Sequence, residues 1–550
     1  MTGRPDALAV PDVTVVVAVY NTMPYLTECL NSLVGQSIGL DRLEVVAVDD
    51  GSTDDSGAEL DRFAERFPGT VKVVHQANSG GPATPSNRAL ELATGRYVYF
   101  IGSDDYLGEE ALERMVACAD TNGSDVVIGK MVGTNGRYVR QSLYKANDPD
   151  ISLYGPELPF ALANTKLFRR DLVEQHKLRF PEDMPVGSDQ PFTIEACVRA
   201  RKISVVADYT CYYAVKRGDA SNITYRANHL ARLRCAAAIM DRAAELIEAG
   251  PKRDAVFKRH FTWELSKLIQ ADFVELDDET KRSICAGITH LADTYLTDPL
   301  SDSLPVKLRA RLRLAQRGAV DELCRAITEE ATHGAPPFHL EDGRAFARYP
   351  GFRDAGLELP DRCFELVGEI VPGRLANKTE LVESGWVQTG EELALALTVR
   401  IGAVGDTGSA VVRLAEGAMP SSADKARARR LPDGHELPPA QGEFTRELTA
   451  DGNATLLRVR IPLAPRKAKR GVRVYVDVAG ATYEIPVRGD AQPMPLARRW
   501  HGETDPYRVA ARLNSKGRVV ISTGPLHPPK TSLGSRLRSR LLGAKRSKRK

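Results

Sequence analysis

Residues 13–21 read VTVVVAVYN and residues 43–52 read LEVVAVDDGS. In each, an almost unbroken β-branched run stops abruptly at polar residues: Tyr20 and Asn21 after the first, Asp49 to Ser52 after the second. A strand that is apolar at successive positions, rather than at alternate ones, is buried on both faces, as in a parallel sheet. Parallel neighbours need a crossover between them, and residues 23–35 read as a helix. The alternation continues with a helix over 55–67, a strand over 71–75, a helix over 86–93 and a strand over 96–101. The pattern predicts a doubly wound α/β sheet with right-handed crossovers, which binds ligands at the carboxyl ends of its strands. Those ends are where the polar residues gather. The fourth strand too runs into Gly102-Ser103-Asp104-Asp105.

Working outward, 550 residues are too many for one core, and the composition changes twice. Residues 1–228 carry the α/β pattern. Residues 229–331 are rich in Ala, Leu, Arg and Glu with apolar positions three and four apart, which predicts a helical linker domain, bounded here as 229–360. Residues 361–525 hold short alternating runs such as 393–401, 456–461 and 472–478 between turn residues, which predicts one or two β-sandwich modules. Residues 420–443 read as a long charged loop within them. Residues 526–550 form a basic tail.

The formal charge of +3 is unevenly placed. Nine Lys or Arg and no Asp or Glu fall between Lys530 and Lys550, so the rest of the chain carries −6 once that tail is set aside. A nucleic-acid partner is therefore not expected, because a binding face would need its cations on the folded body. Within the tail Leu533, Leu537 and Leu541 recur every four residues among arginines. A basic amphipathic helix of this kind would hold the protein at an anionic membrane surface, whereas a solvated tail would not. Eight Cys without a CxxC pair fit reduced thiols. With no apolar run of signal or spanning length, the expected location is cytoplasmic, peripheral at the inner face of the membrane.

Three motifs carry chemistry. Asp49-Asp50-Gly51-Ser52 serves either as a glycine-permitted turn with a helix cap, or as a carboxylate that accepts hydrogen bonds from a base or ribose. At Ser103-Asp104-Asp105 two adjacent carboxylates repel each other. A divalent ion would offset that repulsion and bridge diphosphate oxygens, whereas capping of the following helix is the structural alternative. Lys216-Arg217-Gly218-Asp219-Ala220-Ser221-Asn222 is a basic loop whose donors could close over a diphosphate, or a plain surface loop. Neither a G-x-G-x-x-G turn after the first strand nor a P-loop is present, so dinucleotide oxidoreductases and P-loop enzymes lose their signature.

Taken in order, VVVAVYN at 15–21, VDDGSTD at 48–54, NSGGP at 78–82 and ATGRYVYFIGSDD at 93–105 resemble the family 2 glycosyltransferases over residues 13 to 225. The resemblance implies a GT-A fold and an inverting transfer from a nucleoside-diphosphate sugar, most commonly a UDP-sugar. It assigns donor binding to Ala18, Tyr20, Asn21, Asp50, Asn78 and Ser103, with Lys216, Arg217 and Ser221 from the covering loop. It assigns a divalent metal, Mn or Mg, to Asp104 with Asp105 as helper. Asp189, within PVGSDQPF at 185–192, inherits the role of the base that deprotonates the acceptor hydroxyl. Two departures stand out: Gly102 replaces the first Asp of the D-x-D motif, and Ser86 replaces an Arg that approaches the diphosphate in many relatives. The overall plan is similar to cytoplasmic enzymes that decorate wall teichoic acid or related polymers, with a helical linker and C-terminal immunoglobulin-like modules through which such relatives oligomerise. The expected acceptor is a cell-envelope polymer or a lipid-linked molecule. A carbohydrate-binding scaffold with a degenerate domain, or a protein glycosyltransferase, remain the alternatives.

Overall fold

The computed structural model describes residues 10–526 except 185, 218–227, 342–343, 367–373, 376–377, 403–410, 417–428, 433, 435–442, 451–453, 479–480, 488–493, 502–505 and 515–518. It divides into two compact units, residues 1–327 and 328–550. The first begins with the predicted alternation: β1 (Val13–Val19), α1 (Tyr25–Val34), β2 (Leu43–Asp49), α2 (Ser56–Arg66), β3 (Val71–His75), α3 (Ala83–Leu92) and β4 (Tyr97–Gly102). It continues through β5 (Tyr106–Leu107), α4 (Ala111–Asn122), β6 (Val126–Thr134), β7 (Leu167–Arg169), α5 (Arg170–Gln175), α6 (Asp189–Arg199) and β8 (Ile203–Val215).

These strands form one eight-stranded sheet in the order β3-β2-β1-β4-β7-β6-β8-β5. The first four are parallel, and both β1 and β2 are buried on both faces except at the partly buried Ala18, as their unbroken apolar runs require. Beyond β4 the sheet is mixed, because β7 runs antiparallel to β4 and β6, and β5 antiparallel to β8. This departs from a purely parallel sheet. This mixed half is assembled from strands up to 13 residues long whose partners are remote in sequence, so no βαβ periodicity announces it. Helix α3 starts at Ala83, ahead of the predicted Ser86, because Pro85 is tolerated in a first turn whose N–H groups have no intrahelical partner.

Helices α7 (His229–Leu246), α8 (Pro251–Arg259), α9 (Asp278–Tyr295), α10 (Asp298–Ser303), α11 (Val306–Gln316) and α12 (Val320–His333) follow, with a π-helical turn over His260–Leu265. Several are closed at their starts by side chains, with Asn228, Asp277 and Thr297 each accepting from a backbone N–H of the first turn. Helix α6 packs on α7, and α7 on α9, so the helical region shares unit one with the sheet.

Among the described residues the second unit, which opens on the end of α12, is built mainly of β-strands. A hairpin, β9 (Phe338–Glu341) and β10 (Arg344–Ala347), precedes two antiparallel sheets. One is built from β11 (Thr379–Thr389), β12 (Glu392–Ile401), β15 (Glu443–Leu448) and β16 (Thr455–Pro462). The other holds β13 (Val411–Glu416), β14 (Arg429–Arg430), β17 (Ala468–Val478), β18 (Ala481–Pro486), β19 (Arg498–His501), β20 (Pro506–Leu513) and β21 (Val519–Pro525). Strand β16 alternates buried and less buried residues along its length, the signature of a sheet with one wet face. All eight cysteines are free thiols. Among the described residues no helix is long and apolar enough to cross a membrane. Of the predicted loop at 420–443, residues 429–432, 434 and 443 are described, and strand β14 lies within it; of the basic tail only Leu526 is described.

Candidate active site

Because β1 pairs with both β2 and β4 in parallel register, Ala18 lies opposite Val48 and Gly102, and Val19 opposite Asp49. Three polar loops therefore leave the sheet at one edge. Side chains fasten them together. Asn21, at φ +48°, accepts from the backbone N–H groups of Thr53 (2.7 Å) and Asp54 (3.3 Å), and its own N–H donates to the Ser52 hydroxyl (3.1 Å). The Thr22 and Ser103 hydroxyls meet at 2.9 Å, joining the first loop to the third. Tyr20 stands out of this mesh, 46% exposed.

In the second loop the two aspartates face different partners. Asp49 accepts from the Ser52 N–H and lies 3.0 Å from His75 Nδ1. Burial raises its proton affinity, but the hydrogen bonds from Ser52 and His75 outweigh that and hold it below the ordinary carboxylate value. Asp50, buried, accepts from Gln76 Nε2 (2.6 Å) and from the backbone and hydroxyl of Ser79, while Asn78 Nδ2 donates to the Asp50 carbonyl (2.9 Å). Gly51 makes this closeness possible. At φ +72° it occupies the left-handed region, and a Cβ there would lie 2.7 Å from the Asn78 nitrogen.

The third loop carries the paired carboxylates, and they too divide. Asp105 is 5% exposed and saturated: Tyr212 Oη donates at 2.5 Å, the Val215 N–H at 2.6 Å, and Arg137 Nη1 lies 3.3 Å away. Burial, and then the neighbouring Asp104, push its pKa up to about 6. Asp104 instead receives Arg217 Nε at 2.7 Å. At Gly102 a Cβ would lie 3.0 Å from an Asp105 oxygen and 3.1 Å from an Asp104 oxygen. The departure from the D-x-D pattern thus coincides with the tightest packing of the two remaining carboxylates.

Asp189 opens α6 and is partly buried. A cluster of Phe100, Phe168, Phe180 and Phe192 pins that helix to β4 and β7, with Phe180 and Phe192 stacked at 4.4 Å. Asn87 on α3 adds a clasp, exchanging hydrogen bonds with the Phe180 backbone (2.9 and 2.8 Å) and donating to Glu182 (2.9 Å). In the sequence, Asn87 is marked only by its place after the altered Ser86. Arg88 pairs with Glu91 at 2.9 Å on the exposed face and does not stand in for the arginine missing at Ser86. Lys216 is exposed and Arg217 partly buried, whereas Ser221 lies outside the described residues. Among the described residues no group of three His, Cys, Asp or Glu forms a ready metal cage.

Known proteins match this chain in two stretches. Residues 14–177 match the family model of Glycosyl transferase family 2, so this part of the chain is a family 2 glycosyltransferase domain with the GT-A fold. Residues 231–327 match the family model of the Glycosyl transferase TarS linker domain. The poly(ribitol-phosphate) beta-glucosyltransferase of Bacillus spizizenii is 40% identical over 214 residues, 39% of this chain and 34% of that protein. The Staphylococcus aureus poly(ribitol-phosphate) beta-N-acetylglucosaminyltransferase TarS is 40% identical over 204 residues, 37% of this chain and 35% of that protein. The alignments thus span about a third of these relatives' length. Crystal structures of S. aureus TarS 1-349 superpose with TM-scores of 0.53 (with UDP; 28% identity, 62% of this chain and 96% of that one) and 0.55 (with UDP-GlcNAc; 29%, 65% and 99%). A crystal structure of S. aureus TarS shares the fold at 23% identity, with a TM-score of 0.58 over 94% of this chain and 86% of that one.

Proposed function

We propose that this chain transfers a sugar from a nucleoside-diphosphate donor, a UDP-sugar, to a hydroxyl of a polyol-phosphate polymer of the cell envelope, with inversion at the anomeric carbon. The observation that carries the reading is the convergence of the Asn21, Asp50 and Ser103 loops at one sheet edge in a domain joined to a TarS-type linker. Relatives with this pairing act on poly(ribitol-phosphate), and TarS crystals hold UDP and UDP-GlcNAc.

In this reading Tyr20 offers a ring to the base, while Ala18, Asn21, Asp50, Asn78 and Ser103 shape the nucleoside pocket. Arg217, with Lys216 and Ser221, bears on the diphosphate. The acceptor hydroxyl gives its proton to Asp189 as its oxygen attacks the anomeric carbon. The bond from that carbon to the diphosphate oxygen breaks, and its electrons leave with the nucleoside diphosphate. Inversion of an α-linked nucleotide sugar yields a β-linkage, the anomer in both relatives' names. A divalent ion, Mn or Mg, would neutralise the diphosphate as it leaves. Asp104 is the ligand to hold it, because its hard oxygen contacts a displaceable cation; Asp105, saturated by Tyr212, Val215 and Arg137, acts as buttress.

Incubation with Mn and a panel of nucleotide sugars tests the reading. Release of nucleoside diphosphate, lost in Asp104→Ala and Asp189→Asn, is expected, and the absence of any turnover would leave only a binding scaffold. Polyol-phosphate fractions should take up label, whereas labelling confined to protein would sink the polymer assignment. The basic tail is proposed to bind anionic membrane and the C-terminal β region to join copies of the chain. Unchanged vesicle co-sedimentation after truncation at Pro525, or a monomer by light scattering, would refute these in turn.

A further inference from the structure

Asp189 starts α6 with no side-chain donor on its carboxylate among the described residues. Its charged neighbours stand one remove away. Lys166, 2% exposed, donates to the carbonyls of Ala161 (2.7 Å) and Ala163; burial brings its pKa down to about 8, so it is a cation at neutral pH and below. Arg259, at the end of α8 and 8% exposed, reaches from the linker to Gln190, the residue beside Asp189, donating to its Oε1 at 2.7 Å. The same Nη1 lies 2.9 Å from Glu264 in the π-helical turn. His260, fully buried, has its pKa driven down to about 3 and is neutral. The thiol of Cys197, pushed up to about 11, is neutral too. The charges that bear on Asp189 are thus two cations and one anion.

We propose that Arg259 and Lys166 are positioning residues that keep the Asp189 carboxylate ionised and open to a proton, so that the helical linker forms part of the active site. The inference rests on Asp189 being the base. The physical problem is that burial favours the protonated acid, which is useless for accepting a proton. A direct hydrogen bond or ion pair would keep the group ionised but would occupy the lone pair that the acceptor hydroxyl needs. Cations at one remove keep the charge and leave the oxygen open. Burial raises the proton affinity of Asp189, with Arg259 and then Lys166 opposing it and Glu264 reinforcing it. Arg259 also fixes the start of α6 through Gln190, whose backbone N–H bonds Gly187 at 3.1 Å.

The test is the pH dependence of kcat in the full chain, with thermal melting and UDP affinity measured alongside. Arg259→Met should move the acidic limb up by about one pH unit, with UDP affinity unchanged, and Arg259→Lys should restore it. Lys166→Met should shift the limb the same way. Glu264→Gln should shift it to lower pH, an opposite sign that loss of packing cannot mimic and that survives if Arg259→Met fails to fold. A limb unmoved in Glu264→Gln and in whichever Lys166 or Arg259 variant melts normally overturns the proposal. Full activity in Asp189→Asn overturns the base assignment itself, and this inference with it.

Discussion

The two carboxylates that the proposed reaction needs are held in opposite ways. Asp104, at the edge of the sheet, is gripped directly by Arg217 at 2.7 Å. Asp189, at the start of a helix, feels Arg259 and Lys166 through space, Arg259 being bonded to the adjacent Gln190 and Lys166 to backbone carbonyls. A carboxylate that must exchange one cation for another can rest against an arginine, because it stays ionised throughout and the incoming divalent ion supplies a stronger positive field than the arginine it displaces. A carboxylate that must take up a proton loses basicity with each direct bond, so its support has to act through space. Strand-end sites and helix-start sites thus solve different electrostatic problems, and substitutions can separate them.

The largest effect is expected at the helix start. Asp189→Asn should lower kcat by about 10³-fold while leaving UDP affinity within a few-fold, since a general base acts on the chemical step alone. Calorimetric UDP binding with steady-state kinetics checks this, and a parallel loss of UDP affinity would break the distinction. At the strand end Asp104→Ala should lower turnover by about 10²-fold together with Mn affinity, and Arg217→Gln should tighten Mn binding in the absence of nucleotide. If Arg217→Gln loosens Mn, the exchange idea fails.

Asp105 should answer in stability. Asp105→Ala strips acceptors from the buried Tyr212 hydroxyl and the Val215 N–H, at a cost of about 1–3 kcal/mol, whereas Asp104→Ala should leave the melting temperature nearly unchanged. Equal losses in the two variants would contradict the division of labour. The smallest effect concerns His75, whose pKa is raised by Asp49 and then Asp61. A histidine with a raised folded pKa adds stability that is complete below its unfolded value of about 6.5 and is lost as pH rises through the folded one. Because its side chain is 47% exposed, the contribution is only about a few tenths of a kcal/mol. The stability gap between the wild type and His75→Gln should be visible at low pH and vanish at high pH.

The strand ends were legible in the sequence because their chemistry is local: a run such as residues 43–48 followed directly by Asp49 and Asp50 states both the strand and what it delivers. Strand β3 was predicted over the residues it occupies, and β1 likewise. The mixed half of the sheet was not legible, since β7 is only three residues long and finds its partners β4 and β6 across distant chain. Nor was the setting of Asp189. Its motif could be recognised, but Lys166 and Arg259 approach it from 23 residues before and 70 after, and neither sits in a pattern that betrays a charge facing inward. The helical periodicity ends near Ala331 and Gly334 with Pro336-Pro337 marks a turn, and the structure follows that signal rather than a boundary at 360: the last helix ends at His333 and a hairpin starts at Phe338.

The mesh formed by Asn21, Ser52, Thr53, Thr22 and Ser103 has a consequence for how the domain tolerates change. Loops separated by some 30 and 80 residues share hydrogen bonds, so no one of them relaxes alone. Energies of substitution there will not add, and a double change such as Asn21→Ala with Ser103→Ala should cost less than its parts together. Divergence along the chain at these three places is therefore correlated: a drift in one loop restricts which replacements the other two can accept.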